Sequence, residues 1–381
     1  MTRNNLELLS YGIFILIIMA MPAFIDAFWL NRVAKYLIYG MLGIAISLSW
    51  GYAGILNLGQ GLFFGAGAYM LAMSLKLASP TSLAQGSDKP VPDFMLWNAE
   101  PGALTDLCCI FTGSWTWIPF QNQWFGVAMA IILPTILAMG IAYALGRSRV
   151  SGVFVAIITL ALALLVRLLV IDAQPLTNGF NGLTDLGWFT VGGFEFDPYY
   201  VETYYLVATC LALVLLFSRW LVRTKAGLIL QGIRDNETRI RYLGYSVTSY
   251  QVFFFTVSAG IAGLAGMLFV IVAEFASPTF MNIGFSVSMV VWAAVGGRGS
   301  LLGACIGAIL LNTIEATVSE TPMFVEAWQL IIGGLFVAVV IWLPRGLAGF
   351  ADDIAVRFLI KEKTVKNNSS PSQTARNEGG V

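Results

Sequence analysis

Apolar residues fall in long runs, and few polar positions divide them. Runs long enough for a membrane helix, which needs about 20 mostly apolar residues, are Leu9–Ile25, Val33–Trp50, Leu62–Ala78, Trp124–Leu145, Val153–Ile171, Tyr204–Leu221, Tyr250–Ala273, Leu301–Ala316 and Ala327–Leu343. A further run, Phe285–Val295, is too short to cross alone at ~1.5 Å per residue. It reads as a half-helix or an interrupted, tilted span. The pattern predicts an all-α polytopic membrane protein of about ten transmembrane helices with broken, Gly-rich segments. The first run follows a single basic residue and lacks a small-residue cleavage site, so it reads as a retained span rather than a removed signal.

Composition agrees. The chain is 58% hydrophobic and only 11% charged, against ~25% charged in a soluble domain. Its formal net charge is zero, which makes no case for nucleic acid. There is no histidine, so His-centred triads, His–metal sites and histidine proton relays are excluded. Cys108, Cys109, Cys210 and Cys305 form no CxxC pair, which argues against a metal or cofactor site. No Walker A stretch occurs, so any ATP is bound by another chain. No nucleophile–base cluster suggests an enzyme.

Charge assigns the sides. Arg219, Arg223, Lys225, Arg234, Arg239 and Arg241 crowd between two spans, and Arg147 and Arg149 mark another basic turn. Asp172, Asp185, Glu195, Asp197 and Glu202 fall in a stretch without Lys or Arg. By the positive-inside rule the basic loops are cytoplasmic and the acidic one external. Residues 1–360 then form one transmembrane domain with a long external loop at 79–123, and both termini lie in the cytoplasm. Arg32 and Lys35 are misfits, falling on the outside. The polar tail 361–381 reads as disordered.

One cytoplasmic segment, "GIRDNETRIRYLGY" (232–245), alternates charges of opposite sign. Asp235 precedes Arg239 by four and Glu237 precedes Arg241 by four, a spacing worth ~0.3–0.5 kcal/mol per pair on a helix. Ile233, Ile240 and Leu243 recur on one side, and Gly244 is a natural stop. This is a solvated loop helix or an apolar ridge offered to a partner. "RDNETRIRYLGYSVTSYQVFFFTVSAGIAGLAGMLF" resembles the cytoplasmic coupling loop and following span of bacterial ABC-importer permeases of the branched-chain amino acid type. The resemblance implies that Asp235, Asn236, Glu237, Arg239, Leu243 and Gly244 contact an ATPase subunit. "WGYAGILNLGQGLFFGAGAYM" (50–70) and "VGGRGSLLGACIGAIL" (295–310) are similar to the same family. The implied location is the bacterial inner membrane.

Those last two stretches break apolar runs with glycine, and a broken backbone must be buried in protein or line a watery route. Interrupted segments in corresponding halves point toward a transport site, so Asn57, Gly59, Gln60, Gly61, Gly297 and Gly299 are candidates for the translocation path. Asn57 and Gln60 either pair with a polar solute or cap broken helix ends. Gly299, Gly303 and Gly307 stack at four-residue spacing and permit close helix approach. Arg167, inside an apolar span, is expected to snorkel toward Asp172.

No ring of like charges appears in the spans, so the solute is small and polar. "LTNGFNGLTDLG" (176–187), "VPDFMLWN" (91–98) and "GSWTWIPFQN" (113–122) resemble the urea-importing branch of the family. The resemblance therefore implies urea, with a branched-chain or neutral amino acid as the alternative. A channel or secondary transporter working without ATP is the rival of another class. Asn178, Asn181, Thr184 and Asp185 either guide solute or dock the binding protein at an external gate, or serve as turn residues. The implied partners are a second homologous permease subunit, cytoplasmic ATP-binding subunits, an extracytoplasmic solute-binding protein and the lipid bilayer.

Overall fold

A computed structural model describes residues 3–78, 117–148, 150, 152–320, 330, 333–334, 337, 341 and 346–349. The expected span Ala327–Leu343, most of the external loop, Cys108, Cys109 and the tail fall wholly or largely outside these residues. The helices are α1 (Arg3–Ala20), α2 (Ala27–Ile46), α3 (Gln60–Ala78), α4 (Gln123–Arg147), α5 (Val153–Asp172), the single turn α6 (Gln174–Thr177), α7 (Val201–Arg223), α8 (Lys225–Asp235), α9 (Glu237–Tyr242), α10 (Val247–Ala273), α11 (Ile283–Gly296) and α12 (Leu301–Glu320). Among the described residues, seven helical stretches are long and apolar enough to cross a membrane. The stretches Glu7–Ala23 and Ile283–Gly296 are shorter and apolar. The run at 285–295 is therefore one helix of 14 residues, short as expected.

Helices α2, α3 and α10 form the buried centre. Where α3 crosses α10, a side chain on Gly67 would strike the Gly263 backbone, and one on Gly266 would strike the Phe64 carbonyl. Small residues bring backbones together because lipid offers no hydrophobic drive for bulkier ones to exploit. Outer helices α4 and α5 expose Ile132, Ile136, Phe154, Ile157 and Leu168. An apolar surface all round suits a helix bathed in hydrocarbon.

The two ends of the bundle differ in charge as expected. At the basic end Arg223 pairs with Glu7 (2.6 Å), fixing α1 antiparallel to α7. At the other end Tyr204 donates to the Ile18 carbonyl (2.8 Å), and Asn31 donates to the carbonyls of Pro198 and Val272 (2.9 and 3.0 Å). The misfit Arg32 lies at this second end. It is paired there with Glu320 through two hydrogen bonds and stacked over Phe28 and Trp29 (5.2 Å each).

The chain is not purely helical. In the acidic loop β1 (Phe189–Val191) pairs antiparallel with β2 (Phe194–Phe196). Gly192 and Gly193 sit at φ +60° and +87°, the double positive φ that a tight two-residue hairpin requires.

Candidate translocation and coupling site

Helix α2 does not end cleanly. It widens into a π-helical turn, Ser47–Tyr52, and irregular chain then leads to Gln60. The second break is the turn between α11 and α12. The two breaks meet. Ser47 donates to the Arg298 carbonyl (2.9 Å) and Tyr52 to the Gly299 carbonyl (3.1 Å). The Arg298 guanidinium lies over Trp50 (5.1 Å), and Gly51 abuts the Arg298 carbonyl so closely that a Cβ has no room.

Deeper in the bundle the first break is closed by amides. Asn57 and Gln60 are fully buried. Asn57 Oδ1 accepts from Gly59 N (2.9 Å), and its Nδ2 donates to Gln60 Oε1 (2.6 Å). Gln60 Nε2 donates to the carbonyl and hydroxyl of Ser258 (3.1 and 3.2 Å), and Ser258 Oγ donates to the Ala45 carbonyl (2.6 Å). Leu58 N donates to Thr159 Oγ1 (3.2 Å). Four helices are thereby tied at one point. In this conformation every amide heavy atom of the pair is satisfied inside the protein, as buried polar groups must be. Asn57 thus serves the start of α3, as in the capping reading, whereas Gln60 bridges to the middle of α10 and caps no helix end. A solute contact needs one of these bonds to be exchanged.

The candidate glycines have separate places. Gly59 lies against the Thr159 carbonyl, and Gly61 against the Phe280 carbonyl and Ser286 Oγ. Gly297 ends α11 at φ +105°. Gly299 is exposed in open space. The stacking expected for Gly299, Gly303 and Gly307 is corrected accordingly. Gly303 and Gly307 pack on Gly296, but α12 begins only at Leu301, so Gly299 is not on its face.

From the acidic end a second re-entrant piece descends. The 3-10 turn Pro278–Met281 rests on α3, with Met281 Cγ and Cε 2.7 Å from where a Gly65 Cβ would stand. Phe280 joins Phe64, Phe269 and Phe285 in an aromatic cluster with centroids 5.2–6.4 Å apart. Asn282 then caps α11 through Ile283 N (2.8 Å). This turn carried no charge or glycine cluster, so the sequence pattern did not single it out.

The charged segment is two helices, not one. Asn236 takes extended backbone (φ −159°, ψ 93°) between α8 and α9, and its Oδ1 accepts from Arg239 N (3.1 Å). The cap displaces the expected Asp235–Arg239 pair. Asp235 instead holds Arg234 (3.2 Å), whereas Glu237 and Arg241 do pair. The expected ridge also divides. Ile233 is buried and Ile240 packs by Gly232, while Tyr242 (88% exposed) and Leu243 (69%) project outward. Gly244, at φ +86°, ends the segment. Arg234, which the sequence reading used only to assign the sides, donates to the Gly51 carbonyl (2.5 Å). It joins the charged segment directly to the first break.

In the acidic loop Asn178 stands at φ +61° and donates to the Gly182 carbonyl (2.7 Å), the geometry of a turn residue. Asn181, Thr184 and Asp185 are exposed. Leu183 and Ala276 exchange backbone hydrogen bonds of 2.8 Å. Lys76, buried at the end of α3, donates to the Thr184 carbonyl (2.9 Å) and lies 3.9 Å from the Asp185 carboxylate. It pins the loop to the helix whose other end carries Gln60. Arg167 makes no pair with Asp172, and its Nε is buried without a hydrogen-bond partner. Five residues on a helix is about 140° of rotation, which points the two side chains apart.

A cavity of about 720 Å³ opens at the basic end. Ile55, Ala142, Val155, Thr248, Val252 and Phe255 line its walls, and Arg147, Arg234, Asp235, Glu237 and Arg241 its rim. Among the described residues no group of three or more His, Cys, Asp or Glu gathers as a metal site. Cys210 and Cys305 are free thiols.

The profile of the family described as branched-chain amino acid transport system / permease component matches residues 28–340. The high-affinity branched-chain amino acid transport system permease protein LivM of Salmonella typhimurium is 29% identical over 358 residues, 87% of this chain and 73% of that protein. The protein of the same name from Escherichia coli is 29% identical over 338 residues, 82% of this chain and 68% of that protein. The ribose import permease protein RbsC of Escherichia coli is 27% identical over 207 residues, 49% of this chain and 62% of that protein. No solved structure matches.

Proposed function

Because the chain belongs to the branched-chain amino acid transport system permease family, and so is a multi-pass permease subunit of an ABC importer, we propose that it carries a small polar solute of the amino acid class inward. The supporting observation is the alignment with LivM along most of both chains. Urea is the second reading, favoured by the loop motif at 176–187. The relatives reported above are named for branched-chain amino acids and ribose, not urea.

In this reading α8 and α9 face the cytoplasm, and Tyr242 and Leu243 seat in an ATP-binding subunit. Aromatic and apolar side chains this exposed at the tip of a short capped helix make efficient anchors. Movement of the ATP-binding subunits reaches the membrane through Arg234 and the Gly51 carbonyl, where the two breaks meet. A solute-binding protein docks over the external loop that Lys76 holds, and a second permease completes the assembly. Two states that nucleotide and solute favour unequally are sufficient for transport.

The test is uptake of labelled leucine and labelled urea by cells carrying all the subunits. Energy-dependent leucine uptake supports the first reading. Urea uptake without leucine uptake replaces it with the second.

A further inference from the structure

We propose that the basic end carries a binding site for an anionic phospholipid headgroup, built around Arg219 where α1 meets α7. The site needs only that this end meet a bilayer leaflet, whatever solute the chain carries. Arg219 stands four residues before the end of α7, about 6 Å inside it. It is only 8% exposed, and both of its terminal nitrogens are buried without a hydrogen-bond partner. The guanidinium lies over the ring of Tyr11 on α1 (4.4 Å). The Tyr11 hydroxyl is within electrostatic reach of Arg219 but closes no hydrogen bond on either terminal nitrogen. One turn further on, Glu7 is already engaged by Arg223 (2.6 Å). Arg32, Arg223, Arg234 and Arg241 thus find carboxylates, whereas Arg219 has a ring and no acceptor. A buried charge left without a partner is costly. A guanidinium takes a phosphate through two parallel N–H···O bonds, which removes that cost.

Depth and surroundings select a lipid as the source of the phosphate. Trp220, next to Arg219, is 62% exposed and lies beside Phe217 (6.0 Å), and tryptophan near a span end marks headgroup level. Leu8 and Leu9 on α1 are exposed as well. An amphiphile places its phosphate on Arg219 and its acyl chains along these apolar side chains, from which a free phosphate gains nothing. By the positive-inside rule this end meets the cytoplasmic leaflet, whose anionic lipids are drawn to basic residues at the membrane edge. Tyr11 is the cover. It is half-buried on a helix that exposes Ile13 and Leu16 to the surroundings, so it can turn aside for the headgroup while the centre of the bundle stays in place.

The test titrates the delipidated full-length chain in detergent with phosphatidylglycerol, phosphatidylcholine or inorganic phosphate. Bound molecules are counted by native mass spectrometry, and the thermal midpoint is followed in parallel. The expected result is one phosphatidylglycerol bound roughly tenfold more tightly than phosphatidylcholine, on the scale of a charged hydrogen-bonded pair, with a raised midpoint. Arg219→Gln should abolish both the preference and the rise, while Arg147→Gln, at the basic turn after α4, should keep them. Equal binding of the two lipids, or a preference that survives Arg219→Gln, overturns the proposal. A midpoint rise given as strongly by inorganic phosphate overturns the lipid as the source. Should Arg219→Gln fail to insert, phosphatidylglycerol with a photoreactive headgroup is applied to the unsubstituted chain. Crosslinks within 7–11 or 219–223 support the site, and crosslinks confined to other segments overturn it. Uptake of solute enters none of these readouts, so the site and the transport reading fail separately.

Discussion

Replacing Gln60 by leucine isolates the amide tie. Leucine fills similar space but removes the acceptor of Asn57 Nδ2 and both bonds to Ser258. Asn57 is fully buried, so no water replaces Gln60, and an orphaned buried donor costs ~1–3 kcal/mol. Loss of the Ser258 bonds adds about 1 kcal/mol, for a total of roughly 2–4 kcal/mol. The double variant Asn57→Leu/Gln60→Leu has no orphaned amide. It loses the cap on Gly59 N, worth ~0.5–2 kcal/mol, and the same Ser258 bonds, but it escapes the orphan penalty that each single variant carries, so it should be less destabilised than the two single variants summed. Thermal unfolding in detergent and solute uptake, measured on the same four proteins, decide the matter. Additive losses, or a wild-type midpoint for Gln60→Leu, would refute the tie. Loss of uptake at wild-type stability would make Gln60 a solute contact instead.

Other consequences are equally concrete. Arg234→Gln removes the contact with Gly51, so ATP hydrolysis should persist while uptake falls; unchanged uptake would remove Arg234 from the coupling route. Tyr242→Ala with Leu243→Ala should weaken co-purification of the ATP-binding subunits by well over tenfold, the scale of a hot-spot pair, with insertion unaffected. A Gly65→Cys/Met281→Cys pair should form a disulfide that stops uptake and is reversed by reductant, if the 278–281 turn moves on α3; full uptake with the bond closed would make the turn static. Lys76→Met, which loses charged hydrogen bonds worth ~1.5–3 kcal/mol each, should raise amide exchange at 183–187 and leave α8 and α9 unchanged.

What the sequence determined by itself was set by local requirements. Hydrocarbon demands internally bonded backbone, so apolar run length revealed the spans and the short helix at 285–295. Charge separated the two ends, and glycine interrupting apolar runs marked both breaks. Tertiary structure decided everything that depends on which backbone lies opposite which. Only packing shows that the two breaks touch at Gly51 and Arg298, that Gln60 finds Ser258, or that Phe280 descends onto Gly61. The charged segment shows the boundary between the two. Its helix-forming residues and its stop at Gly244 were legible. Asn236, however, had to choose between continuing one helix and capping the next, and burial of Ile233 with anchoring of Arg234 settled that choice. A side chain's partners follow from three-dimensional neighbours, and spacing along one chain constrains only those within a turn or two.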